Sequence, residues 1–187
     1  DTRVPMGVRV DSVLRWLRLP PERRPHLVTL YSSDVDDSSH AHGPEAEPTA
    51  ASVLGVDREI GRLVAGLDAL PFRDSIYVIV VSDHGMSLST PQQFVALETL
   101  VDTAGIRTAD AGPSANLHVA GGAARARLVR DSIHRRIVHG RAYLRADVPA
   151  RLHYRADPRI GDVVVVMDEP WQVGLGGRRP KQAGGTH

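Results

Sequence analysis

Apolar positions recur along this chain at two different periods, and the period sets the element that each stretch is expected to form. Val10, Val13, Leu14 and Leu17 fall at i, i+3, i+4 and i+7, with Arg9, Asp11, Ser12 and Arg15 between them. That spacing predicts one apolar face of a short helix, stopped by "LPPERRP". A longer helical stripe runs through Val53, Val56, Ile60, Leu63, Val64 and Leu67, with Asp57, Arg58, Glu59 and Arg62 facing outward and Gly66 near its end. Two other stretches, "HLVTLY" (26–31) and "SIYVIVVS" (75–82), are continuous apolar runs and are expected as buried strands. Strand, polar segment, helix and strand in that order predict a βαβ unit with parallel pairing, in which each strand runs straight into a polar tip.

Beyond residue 92 the pattern is weaker. "QFVALETLVD" is expected as a helix, "NLHVA" as a short strand, and "RARLVRDSIHRRIV" as a helix with Val129, Ile133 and Ile137 inward. "RAYLR" and "DVVVVM" read as strands, and "GLGGRRPKQAGGTH" as a glycine-rich loop. The expected fold class is α/β, a mostly parallel sheet flanked by helices, with a small α+β lobe over about 105–168 inserted into the larger sheet.

Composition narrows the chemistry. At 187 residues with 42% hydrophobic content, the chain is long enough for a domain with a real core. Its 23 basic and 22 acidic residues nearly cancel, so no strong field points to a nucleic-acid duplex or an anionic membrane as partner. No apolar run approaches the length of a membrane span. With no cysteine, a metal must be held by histidine and carboxylate.

Such side chains cluster at both polar tips. "TLYSSDVDDSSHAHGPE" (29–45) carries Asp34, Asp36, Asp37, His40 and His42; "SDHG" carries Asp83 and His84 directly after "VIVV". In parallel α/β sheets, ligands gather beyond the carboxyl ends of the strands, where short loops project side chains from a rigid base. A carboxylate and an imidazole within one turn suit zinc, which takes both ligand types. Taken singly, each tip also reads as a capping or turn device, because Asp and Ser satisfy free backbone donors there. Two strand ends that both carry Asp plus His favour the metal reading.

These residues resemble a known family. "LVTLY", then an acid, a histidine four residues later and Gly-Pro three after it, a helix of type "VDREIGRLVAGL", and "VIVVSDHGM" are similar to the nucleotide pyrophosphatase/phosphodiesterase branch of the alkaline phosphatase superfamily. The flanking segments "RVDSVLRWLRLPPERRPHLVTLY" and "PARLHYRADPRIGDVVVVMDEPW" extend the resemblance over nearly the whole chain. It implies an alkaline phosphatase-like fold and two divalent cations, zinc, with Asp36 and His40 on one and Asp83 and His84 on the other. A third histidine of the first zinc falls on His187 in "GGTH". His42 reads as a neighbour of the ligands, and His26, His118, His134, His139 and His153 have no partner in sequence.

The resemblance further implies a hydrolase of nucleotide phosphodiester or pyrophosphate bonds, acting on a small-molecule substrate and exported to the periplasm, the cell surface or the medium. Its threonine nucleophile, and the acid that completes the second metal site, match no position in this chain. The chain is therefore expected to be a C-terminal fragment of the catalytic domain, inactive alone. Ser33, Ser38 and Ser39 flank the ligands of one ion and make poor substitutes for a hydroxyl that must lie between two. Ser39 stands where relatives commonly have glycine, which is expected to stiffen the segment before His40. The alternatives are a phosphomonoesterase or phosphomutase of the same superfamily, and a metal-binding module without chemistry.

Overall fold

The computed structural model describes residues 4–108 and 110–187, and the chain divides at Met86/Ser87 into two compact units.

The first unit is built on helices. α1 (Met6–Leu17) buries Val10, Val13 and Leu14, the apolar face that the spacing predicts. α2 (Asp34–His42) follows, and α3 (Glu47–Asp68) is the long helix, begun with a proline in its first turn. Val10, Leu14, Leu67 and Leu70 form the core of this unit, with Met6, Leu17, Leu30, Leu63, Phe72 and Ile76 packed around them. The close approach of α1 and α3 depends on Gly66, where an added Cβ would come within 2.5 Å of Leu14 Cδ1. Arg62 on α3 reaches across to Asp11 and to the Gly7 carbonyl on α1. Arg9 likewise ties α1 to the following segment by donating to the Tyr31 carbonyl at 2.6 Å.

Two expectations fail in this unit. The polar tip after "HLVTLY" is a helix, α2, rather than a loop. Its acids Asp34, Asp36 and Asp37 occupy the first turn and His40 and His42 the last, an order that opposes the helix dipole favourably. Residues 26–31 and 76–82 do not form the expected parallel pair: they lie outside every strand ladder among the described residues. The local preference of β-branched residues extends the backbone, as at Ile76 (φ −109°, ψ 121°), but a ladder needs a partner strand within reach.

The second unit holds the sheets, which are mixed rather than mostly parallel. β1 (Ser87–Ser89) pairs antiparallel with β8 (Gly184–Thr186), and β2 (Phe94–Ala96) pairs parallel with β7 (Gln172–Gly174). β3 (Ile106–Thr108), β4 (Ser114–Val119), β5 (Gly140–Leu144) and β6 (Val163–Met167) make an antiparallel sheet in the order β3-β4-β6-β5. α4 (Gly122–Arg136) lays Ala126, Val129 and Ile133 on one face of that sheet, against Ala115, Leu117, Ala142, Val163 and Val165. The other face is covered by Val148 and Ile160 over Val164. Covered on both faces, β6 can be the continuous run "VVVVM".

Here too the pattern misleads twice. "QFVALETLVD" forms β2 and a short 3-10 turn (Leu97–Thr99) instead of a helix, because Phe94 and Leu97 are buried in the core while Val95 and Ala96 pair with β7. The glycine-rich tail is not all loop, since Gly184–Thr186 finds a partner in β1.

Candidate metal centre

α2 places its ligand candidates by simple helical geometry. Asp36 and His40 are four residues apart, so they share one face. His40 Nε2 lies 3.5 Å from Asp36 Oδ1, with both side chains partly open to solvent. Ser39 between them is buried and donates its hydroxyl to the Val35 carbonyl at 2.7 Å, so its side chain is absorbed into the helix. The helix ends at Gly43, whose φ of 94° suits glycine. The Gly43 carbonyl accepts a 2.8 Å bond from the buried Thr49 hydroxyl, which anchors the end of α2 to the start of α3.

The second tip is a tight turn. Ser82 Oγ donates to the His84 carbonyl at 2.5 Å, and the His84 N–H donates to Asp83 Oδ1 at 3.2 Å. His84 Nδ1 lies 2.9 Å from the Gly85 carbonyl. A carbonyl only accepts, so the proton sits on Nδ1 and the lone pair on Nε2. That is the arrangement a metal-ligating imidazole uses. Asp83 Oδ2 stands 3.6 Å from this Nε2.

These separations fit a cation. Two ligands on a tetrahedral zinc, at bonds of about 2.0 to 2.1 Å, stand roughly 3.3 to 3.4 Å apart. The Asp36–His40 and Asp83–His84 separations of 3.5 and 3.6 Å are close to that. The two tips also meet: a carboxylate oxygen of Asp36 and a ring nitrogen of His84 lie within 4.8 Å of each other. Asp36 is thus within reach of both imidazoles, one on its own helix and one 48 residues along the chain. Nitrogen and oxygen donors without sulfur suit zinc and similar divalent ions.

His187 follows β8 directly, in the second unit. The remaining polar residues of the first tip have local roles: Asp34 accepts from Ser32 Oγ, and the Asp37 N–H donates to the Ser33 carbonyl. His139 stacks on Trp171 with ring centroids 3.9 Å apart, and His153 adopts a left-handed conformation (φ 48°) after a 3-10 turn. The sequence reading passed over Ser82 and the Gly85 carbonyl; the signal was their position on either side of "DH".

The family described as type I phosphodiesterase / nucleotide pyrophosphatase matches residues 1–187. Among curated proteins, the chain is 31% identical over 188 residues to mouse ectonucleotide pyrophosphatase/phosphodiesterase family member 1, a match that covers 97% of this chain and 21% of that protein. It is also 31% identical to the bovine bis(5'-adenosyl)-triphosphatase ENPP4, over 89% of this chain and 36% of that protein. Among solved structures, an inactive variant of murine ectonucleotide pyrophosphatase/phosphodiesterase 5, in complex with AMP, superposes with a TM-score of 0.87 at 25% identity. That match takes in 100% of this chain and 49% of the murine one. The chain spans about half of the solved relative and a smaller share of the curated ones. With every residue inside the family match, and with a fold shared with these catalytic domains, the chain belongs to the type I phosphodiesterase / nucleotide pyrophosphatase family of the alkaline phosphatase superfamily.

Proposed function

We propose that the protein hydrolyses phosphodiester or pyrophosphate bonds of nucleotides, with two zinc ions held by Asp36, His40, Asp83, His84 and His187. The observation that carries this is the meeting of the two tips, in which half-buried Asp36 and exposed His84 bring ligand atoms within 4.8 Å of each other. Exposed His40, Asp83 and His84 leave coordination positions open to substrate, as catalytic zinc sites do. Bound zinc would supply Lewis acidity toward phosphate oxygens and charge for an attacking hydroxyl. The part of this chain's own residues is to bind and orient: α2 presents Asp36 and His40 on one face, and the Ser82–Gly85 turn aims His84 Nε2.

His187 enters through strand register. Ser87 pairs with Thr186, so His187 directly follows a residue held in a strand ladder rather than in a free glycine-rich tail. That supports the role which the resemblance implies for it. The proposal assigns metal binding to residues 1–187 and a nucleophile to none of them. The substrate class follows from relatives named as nucleotide pyrophosphatases and a triphosphatase, one of them solved with AMP. Export is supported by relatives named as ectoenzymes and by a rattlesnake venom phosphodiesterase that is 27% identical. Among the described residues, no helix is long and apolar enough to cross a membrane.

Equilibrium dialysis of the 187-residue chain against zinc tests the metal assignment. Two ions per chain are expected, and the loss of at least one in both Asp36→Asn and His84→Gln. Full stoichiometry and affinity in both variants would sink the assignment.

A further inference from the structure

The near-zero net charge of the chain hides a division. Residues 87–187 carry 14 basic and 9 acidic side chains, a balance of +5, whereas residues 1–86 carry 9 and 13, a balance of −4. Charge that is divided in this way between two parts of one chain points to a surface that meets an anionic partner.

In the second unit the excess gathers on α4, whose 15 residues hold five arginines and one acid. Three of the five have partners within the unit. Arg125 donates to the Ala104 carbonyl at 2.6 Å, Arg136 to the Leu100 carbonyl at 2.9 Å, and Arg130 lies 2.8 Å from Asp131, which neutralises the one acid. Arg127 and Arg135 are exposed and make no hydrogen bond or ion pair among the described residues. Eight residues apart, they share the face turned away from Ala126, Val129 and Ile133, which lie against the sheet. Leu128, 69% exposed, stands on the same outer face. Arg135 in the last turn also complements the helix dipole; Arg127, two turns earlier, has no such role.

Two features select the partner. A guanidinium matches a pair of phosphate oxygens with two parallel donors, so unpaired arginines on an open face fit phosphate esters. An exposed leucine among them fits a lipid surface, where an apolar side chain enters the headgroup layer while the cations stay with the phosphates. A single-stranded nucleic acid would call for aromatic rings on which bases stack, and α4 carries no Phe, Tyr or Trp.

We infer that the outer face of α4 docks on an anionic phospholipid surface, with Arg127 and Arg135 on headgroup phosphates and Leu128 between them. The helix lies on the bilayer and does not cross it. This docking concerns α4 and stands whether or not Asp36 and His84 hold a cation.

Co-sedimentation of the 187-residue chain with vesicles tests it, phosphatidylglycerol mixed with phosphatidylcholine against phosphatidylcholine alone. The chain should sediment with the anionic vesicles only. Raising salt from about 0.1 to about 1 M, which shortens the screening length from about 10 to about 3 Å, should release it. A basic side chain near an anionic leaflet strengthens partitioning by about 5-fold, so Arg127→Gln with Arg135→Gln should weaken it by about 25-fold. Arg151→Gln with Arg155→Gln removes the same charge from the segment whose Leu152 packs on the opposite face of the sheet. That pair should change partitioning by less than about 3-fold. Thermal midpoints should match wild type throughout, because all four arginines are exposed. Leu128→Ser keeps every charge and should still weaken binding; wild-type binding by this variant would overturn the lipid assignment. Equal losses in the two arginine pairs, or a wild-type chain that ignores anionic vesicles, would overturn the inference as a whole. So would tighter binding to a single-stranded oligonucleotide than to vesicles at equal phosphate.

Discussion

His84 owes its tautomer to a backbone carbonyl. Gly85 accepts from Nδ1 at 2.9 Å, a bond that ring rotation would break, and Ser82 holds the same turn closed through the His84 backbone carbonyl. Outer partners of this kind typically change metal affinity by roughly 10- to 100-fold when removed. Ser82→Ala should therefore weaken zinc binding by about 10-fold or more, with Ser82→Thr restoring it; dialysis isotherms that superpose for wild type and S82A would refute the positioning role. Asp36→Asn should cost more, because it removes a proposed ligand that lies within reach of both His40 and His84. A separate residue-scale prediction concerns pH. The Arg159 guanidinium beside Asp157, donating at 2.7 to 2.9 Å, holds that carboxyl below its usual range. A depressed folded-state pKa contributes stability above the ordinary carboxylate range, near pH 3.9, and loses it as pH falls through the lower folded value. The thermal midpoint should thus fall more steeply below about pH 4 in wild type than in Asp157→Asn. Equal slopes would count against the pairing.

At the scale of elements, the junction of α2 and α3 sets where Asp36 and His40 stand. Buried Thr49 carries that junction through its bond to the Gly43 carbonyl, with Ser38 Oγ 3.4 Å from its hydroxyl. Thr49→Val keeps the shape and leaves the Gly43 carbonyl with only the longer 3.4 Å bond from the Ala46 N–H, so urea unfolding should show a loss of about 1 to 2 kcal/mol; Thr49→Ser should stay within about 1 kcal/mol of wild type. Comparable losses in the two variants would place the cost in packing instead. Gly66→Ala pits helix propensity, a gain of up to about 1 kcal/mol, against a clash with buried Leu14 of about 1 to 3 kcal/mol. The clash should win, and a stabilised variant would show that Leu14 can move aside. The same elements show what the sequence could reveal. α1 and α4 were legible because each lays a periodic apolar stripe on a core, α3 because the C-terminal part of its stripe, Leu63 and Leu67, does so, and β6 because its run is covered on both faces. α2 was not, because "DVDDSSHAH" has no apolar stripe; its order comes from caps and neighbours. β8 was hidden for a related reason: "GGT" has no strand preference, and it forms because Ser87–Ser89 offers a ladder. The candidate metal residues stand out through their spacing within each tip, whereas the approach of Asp36 to His84 is a non-local contact that no spacing encodes.

Among the described residues the core is unevenly shared: a large buried cluster around Leu117, Ile133 and Val165 serves the second unit, while a cluster of four buried residues, Val10, Leu14, Leu67 and Leu70, serves the first. Metal binding offers a way to ask whether the ligand set draws on both. A cation bound only by the folded state stabilises whatever must unfold to release it, by about 2.7 kcal/mol when free metal is 100 times the dissociation constant. If Asp36, His40, Asp83 and His84 were the only ligands, zinc would protect amides of the first unit, such as those near Leu67 in α3, and leave β6 in the second unit unchanged. With His187 as a ligand, unfolding of the second unit also sacrifices a metal bond, so zinc must slow exchange in β6 as well. The expected result for wild type is slower exchange at both places, reversed by a chelator. His187→Ala should confine the effect to the first unit, and Asp36→Asn should diminish it in both. Zinc protection that is restricted to the first unit in wild type would remove His187 from the ligand set while leaving the four residues of the two tips in place.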